Sequence, residues 1–174
     1  MKRVITHCAH CFNTFRNEYP EFGGRFEVQH HTAWIHSLIE TGKIQPSAAG
    51  PGPVTLHDSC YLGRFNGSFA HPREILRSIP GTQPSEMTRS GPRAFCCGAG
   101  GANYWYDVPR TEKMSASRIR EAEETGARVL VTECPFCLKM LEDAVISSGE
   151  AEPIQVRDIA EVVAESLGVT GKDD

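Results

Sequence analysis

Short apolar runs alternate along this chain with longer stretches in which apolar residues recur every three or four positions. The first pattern predicts half-buried or buried strands, the second amphipathic helices. Arg3–Thr6 reads as a brief strand, followed at once by Cys8, Ala9, His10 and Cys11 and a helix running to about Glu18. Arg25–His30 reads as the next strand, and Thr32–Glu40 as a helix with Ile35, Leu38 and Ile39 on one face. Gly42 and Pro46 punctuate its end, and Ser47–Pro53 is a linker of small residues, glycine and proline. Val54–His57 is a strand leading into Asp58, Ser59 and Cys60. Pro72–Ser78 opens a helix with proline in the favoured first turn, and Thr82–Met87 is a strand candidate. Phe95–Gly101 is a turn dense in glycine, and Pro109–Thr125 is the longest helix candidate, closed by Gly126. Arg128–Thr132 is a buried strand, Pro135–Ser148 a helix, and Ile154–Val156 with Asp158–Leu167 a last strand and helix.

Strands alternating with helices predict parallel pairing. The expected fold class is α/β: a mostly parallel sheet with flanking helices, whose site lies at the C-terminal rim of the strands. The units are pseudo-duplicated. Ile5 to Phe12 aligns with Val131 to Leu138 at a constant offset, matching Cys8 to Cys134 and Cys11 to Cys137. After each block come a helix, a strand (around Val28 and Val156) and a second helix. Cys8 and Cys11 therefore read as the closing end of an earlier copy whose first half is not in this chain. The expected organisation is residues 1–46 as the end of a first repeat, 47–53 as a linker and 54–174 as a complete second repeat. On that reading the chain is the C-terminal piece of a longer duplicated protein, or an unusual short product.

Composition narrows the classes. A length of 174 residues suffices for one domain with a core, and 40% apolar with 23% charged residues is ordinary for a globular protein. The net charge of −4 lacks the basic footprint of a nucleic-acid binder. No apolar run approaches the roughly 20 residues of a membrane span, and the first residues lack the apolar core of a signal peptide. The expected setting is cytoplasmic and reducing, where clustered cysteines hold metal or do redox chemistry more often than they form disulfides.

Of seven cysteines, five form one ordered set: Cys60, the adjacent Cys96 and Cys97, and the pair Cys134 and Cys137. Five thiols exceed what a tetrahedral ion needs and are odd for disulfides, but suit an iron–sulfur cluster held from separate loops. Zinc is the main competitor. Cys8, Cys11, Cys134 and Cys137 can make a four-thiolate site, at the expense of leaving Cys60, Cys96 and Cys97 unexplained. Thiol–disulfide exchange is a second competitor, since a strand, Cys134, Pro135, Phe136, Cys137 and a helix resemble a glutaredoxin site. That motif belongs near the start of its domain, whereas here little chain follows it. Seven inert buried cysteines are a third reading, disfavoured by the regular motifs.

Gly98, Gly100 and Gly101 let backbone approach the sulfurs and point N–H groups at them, or simply form a turn before a helix. His57, three residues before Cys60, is placed to donate to a cluster sulfur or move protons, or is satisfied by backbone. His30 and His31 end a strand on the same expected rim. Asp58 reads as a turn cap. Arg64, Arg73, Arg93 and Arg110 lie near cysteine segments, where they offset cluster charge or sit solvated.

These segments resemble a known family. Cys60, Cys96-Cys97-Gly98 and Cys134-Pro135-Phe136-Cys137 are similar to the cysteine-rich CCG domain found in the B-type and D-type polypeptides of heterodisulfide reductase. It also occurs in the iron–sulfur subunits of glycolate oxidase, anaerobic glycerol-3-phosphate dehydrogenase and lactate-utilisation systems. The wider stretches 7–14, 18–24, 57–64 and 96–101 resemble bacterial iron–sulfur oxidoreductases similar to the D-type polypeptide, including those linked to electron-transfer flavoprotein. The resemblance implies that Cys60, Cys96, Cys97, Cys134 and Cys137 bind a [4Fe–4S] cluster, in that family a non-cubane one. Cys8 and Cys11 would be a partial second metal site. It implies electron transfer from a flavoprotein or ferredoxin partner to a quinone or disulfide-type acceptor, or direct disulfide reduction at the cluster. Partner segments would come from the upstream half of the same protein or another subunit, and would bring the chain to the inner face of the membrane. A zinc-stabilised, non-catalytic interaction module is the alternative of another class.

Overall fold

The computed structural model describes residues 2–106 and 113–168. Two parallel sheets stand among them. β1 (Lys2–Thr6) pairs with β2 (Phe26–His30) alone. The larger sheet has the order β4 (Gln83–Ser85), β3 (Pro53–His57), β5 (Val129–Thr132), β6 (Gln155–Asp158). The helices are α1 (Ala9–Asn13), α2 (His31–Glu40), α3 (Ala70–Ser78), α4 (Met114–Glu123), α5 (Pro135–Ser148) and α6 (Ile159–Ser166). The α/β class with parallel strands and flanking helices follows the sequence pattern; the division into two sheets does not.

The strand chemistry sets the layers. β5, Val-Leu-Val-Thr, is buried along its whole length, as a central parallel strand covered on both faces must be. Its register against β3 pairs Val54 with Val129 and His57 with Thr132. Val54, Leu56, Val129 and Val131 pack with Ile35, Ile75, Leu76, Ile159 and Val163 into one core. On the other face Leu130 joins Ala9, Phe12, Leu62, Ile119, Leu141, Cys97, Cys134 and Cys137. Helix α1 of the first half therefore shares a core with the second half, and α2 packs on α3. The linker is also packed. Ser47 and Ala48 donate to the Ser166 carbonyl at 2.9 Å each, and a Cβ on Gly50 would lie 2.1 Å from Thr82 Oγ1.

Local signals explain the helix ends. α5 begins with Pro135 after an extended Cys134 and stops at Gly149, whose φ of +69° is left-handed. α6 opens on a reciprocal capping box of Asp158 and Glu161. Two expectations need correction. Helix α1 ends at Asn13, and Thr14–Glu18 continues as a wider helical turn. The helix expected over Pro109–Thr125 starts at Met114, because Lys113 is extended (φ −80°, ψ 140°); α5 is longer. Residues Pro109 to Glu112 of that expectation lie outside the described residues.

His30 ends β2 and His31 opens α2; the partners of both lie elsewhere than at the cysteines. His30 Nδ1 lies 2.9 Å from Thr32 Oγ1, its ring meets Phe12, and His31 faces Asp158 at 3.7 Å. Burial, aided by His31, lowers the His30 pKa to about 3. The native state thus refuses a proton that the unfolded chain accepts below its ordinary pKa of 6.5. Stability from this group is full above pH 6.5 and is lost as pH falls toward 3. His30→Asn is expected to flatten that loss by about 2 kcal/mol at about pH 4.5. Urea midpoints of both proteins at neutral pH and at that acidic pH check it.

Candidate metal centre

Two strands of the larger sheet and one of the smaller lead into cysteine-bearing loops. β3 ends at His57 and passes through Asp58 and Ser59 to Cys60. β5 ends at Thr132 and passes through Glu133 to Cys134, which stands before the first turn of α5 with Cys137 one turn on. β1 ends at Thr6 and leads to Cys8 before α1. The loop carrying Cys96 and Cys97 closes the set from the side of α4.

All seven cysteines are free thiols. Cys60 interacts with Cys96, Cys96 with Cys97, Cys97 with Cys137, and Cys137 with Cys134. The five sulfurs expected together thus form one continuous run. Cys97, Cys134 and Cys137 are buried; Cys60 and Cys96 are half-buried. Among the described residues, only His57, Cys97 and Cys137 place their ligand atoms all within 4.8 Å of one another. No four thiols lie within that distance of one another among the described residues. A spread run of sulfurs suits a group several atoms across.

The electrostatics divide the thiols. Hydrogen bonding from Cys60 and then Cys97 holds Cys96 down to about 2. The Cys137 thiol, helped by His10, brings Cys134 to about 4 despite burial. Cys137 is driven well up by Cys134 and Cys97, and Cys60 is driven up by Cys96 and burial. Cys97 gains a donor in Cys137, but Cys96 and burial outweigh it and push it up to about 12. Cys96 and Cys134 are therefore the ready thiolates of the run, the form that ligates metal. Cys134 is 0% exposed, which removes it from attack by a disulfide substrate of the glutaredoxin kind.

Gly98 answers the expectation for the glycines. Its N–H donates to Cys96 Sγ at 3.3 Å, from a φ of +93°. Gly101 also has positive φ, while Gly100 accepts from Asn103 in a turn; neither touches sulfur. An added Cβ at Gly98 would sit 3.3 Å from Met114 Cβ, whereas Gly100 has open space. Gly98→Ala is expected to destabilise by about 1–2 kcal/mol. Gly100→Ala should be near neutral; paired urea titrations compare them.

Asp58 does not cap a turn. Arg73 grips both its oxygens at 2.7 and 2.9 Å, and Gly91 N–H donates to it at 2.7 Å. Arg73 thus balances Asp58 and Glu86 rather than sulfur. Arg64 donates to the Ala94 carbonyl, and Arg110 lies outside the described residues. Glu133 is buried and accepts from Ser59 N–H (2.8 Å) and Ser59 Oγ (3.0 Å), fixing the approach to Cys60. Burial raises it to about 8, so it stands protonated at neutral pH. His57 is lowered to about 3 by burial and by Arg118, and is neutral.

Two residues escaped the sequence reading. His10 Nδ1 lies 4.0 Å from both Cys8 Sγ and Cys134 Sγ. These sulfurs raise its pKa to about 9, and they join the partial pair to the five-sulfur run. Its position between Cys8 and Cys11 was the only signal. Arg118, 0% exposed, donates from Nε to His57 Nδ1 at 3.0 Å; nothing in its helix marked it out. Rings border the sulfurs: His10 packs on Tyr61 and Phe136, and Tyr104 on Phe136.

Comparison with known proteins adds the following. A family model described as the cysteine-rich domain, CCG, matches residues 54–142. The chain is 38% identical over 167 residues to a Bacillus subtilis protein named "Probable iron-sulfur-binding oxidoreductase FadF", covering 96% of this chain and 24% of that one. It is 35% identical over 174 residues to the EtfAB:quinone oxidoreductase of Syntrophomonas wolfei, covering 96% and 24%. It is 38% identical over 172 residues to the D-type polypeptide of the heterodisulfide reductase of Methanosarcina barkeri, covering 97% and 42%. The chain thus spans a quarter to two-fifths of the length of these relatives. Among the described residues no helix is long and apolar enough to cross a membrane.

Proposed function

The chain belongs to the cysteine-rich domain family, and from that premise we propose that it is the iron–sulfur electron-transfer domain of an oxidoreductase. The observation that carries the reading is the unbroken run of five sulfurs brought from three distant stretches to one strand rim. Cys60, Cys96, Cys97, Cys134 and Cys137 would hold a [4Fe–4S] cluster. A cubane takes four cysteines, so a fifth thiolate favours a non-cubane form. When bound, the cluster supplies one-electron redox chemistry. The protein's residues hold it, keep water away and set its potential. His57 stands beside Cys97 and Cys137, and its buried Nε2, without a partner among the described residues, is the kind of polar atom that such a group satisfies.

Cys8 and Cys11 are read as the closing pair of a preceding copy. Residues 54–174 form the complete copy, 1–46 the end of the earlier one, and 47–53 the connection. The names of the relatives support electron entry from a flavoprotein or ferredoxin and exit to a quinone or a disulfide. Partner subunits or further segments of the same protein would complete the enzyme. A relative named as a membrane-anchored ferredoxin supports a position at the inner face of the membrane. Anaerobically iron-loaded chain is expected to bleach with reduced flavin and to recover its colour on adding a quinone. A loaded chain that exchanges electrons with neither would contradict the reading.

A further inference from the structure

His57, Cys97 and Cys137 bring their ligand atoms together as a trio, which invites the view that His57 is a metal ligand. The hydrogen bonds say otherwise. A guanidinium has donors and no acceptor. Arg118 Nε lies 3.0 Å from His57 Nδ1, so Nδ1 must accept. A neutral imidazole has one N–H, and here it is left on Nε2. That nitrogen is buried and has no partner among the described residues, on a ring that stands beside Cys97 and Cys137. A ligating nitrogen must instead present a lone pair, and its ring commonly donates from the other nitrogen to a carboxylate or carbonyl. His57 has the reverse arrangement.

Arg118 is itself held. Its Nη1 donates to Glu121 Oε2 and to the Arg89 carbonyl, each at 2.9 Å, and Glu121 accepts from Arg89 N–H at 2.6 Å. A rail of Glu121, Arg118 and His57 therefore runs from helix α4 to the sulfur site. Resting on the cluster reading above, we propose that His57 is a positioning residue and not a ligand. Arg118 fixes its tautomer so that Nε2–H donates into the metal centre. Such a donor favours the more negative, reduced centre and raises its potential.

Nitrogen-15 NMR of the histidine-labelled chain before iron loading reads the tautomer directly, with no variant needed. A proton on Nε2 is expected; a proton on Nδ1 overturns the proposal. Arg118→Lys, which keeps a donor and the charge, should preserve the tautomer, whereas Arg118→Met should mix the two. After anaerobic loading, His57→Phe and Arg118→Met are expected to hold as much iron as the parent. Their midpoint potentials should be more negative, with Arg118→Lys close to the parent. Iron lost from His57→Phe as completely as from a cysteine variant would make His57 a ligand and sink the proposal, as would unchanged potentials in both. A parent chain that takes up no iron would count against the cluster reading, and the tautomer would still decide the role of His57.

Discussion

Replacing Cys97 with serine is expected to abolish iron uptake and the visible chromophore, because Cys97 joins the two halves of the sulfur run. It interacts with Cys96 on one side and Cys137 on the other, and is 3% exposed. Serine keeps the volume but supplies a hydroxyl, a poor ligand for iron that thiolate binds well. Cys8→Ser is expected to leave most of the chromophore. Cys8 lies at the end of the run, beside Cys134, with His10 Nδ1 4.0 Å from each of the two sulfurs. Iron counted per chain for the two variants checks the difference. Equal loss from both would contradict the division into a complete set and a partial pair.

Arg73→Met is expected to destabilise the protein by about 3 kcal/mol, since removing one partner of a buried ion pair leaves an uncompensated charge, an effect of about 3–5 kcal/mol. Here Asp58, whose side chain is 4% exposed, would keep only the Gly91 N–H. The same carboxylate ties the loop before Cys60 to the loop that leads to Cys96. The variant should therefore also lose iron to a chelator faster than the parent. Arg3→Met, which breaks the exposed pair with Glu27, should change stability by under about 1 kcal/mol. Equal urea midpoints for the two variants would show that the Asp58 pair does not brace the site.

Much of this architecture was legible because local chemistry and tertiary context agree. Helix α5 runs over Pro135–Ser148 as expected, and the buried β5 lies centrally between two helix layers. Pairing between strands was less legible. Nothing in residues 2–30 announces that β1 and β2 form a sheet apart from the larger one, since pairing is settled by which helices pack between them. The five thiols could be grouped in advance because their spacing is regular, and the fold sets them in one run. Arg118 could not, since a single arginine in a mixed-charge helix looks solvated. Only the fold sets it against a histidine on another element. His10 belongs to neither class: its role exists because the fold brings both Cys8 and Cys134 to its ring.

The most direct test of the central claim is the count of iron and acid-labile sulfide per chain after anaerobic purification, read with the visible spectrum. Iron and sulfide in equal amounts, about four of each, with a broad charge-transfer absorption, is the predicted result. A chain that carries zinc without sulfide, or no metal even after anaerobic loading with iron and sulfide, would contradict it.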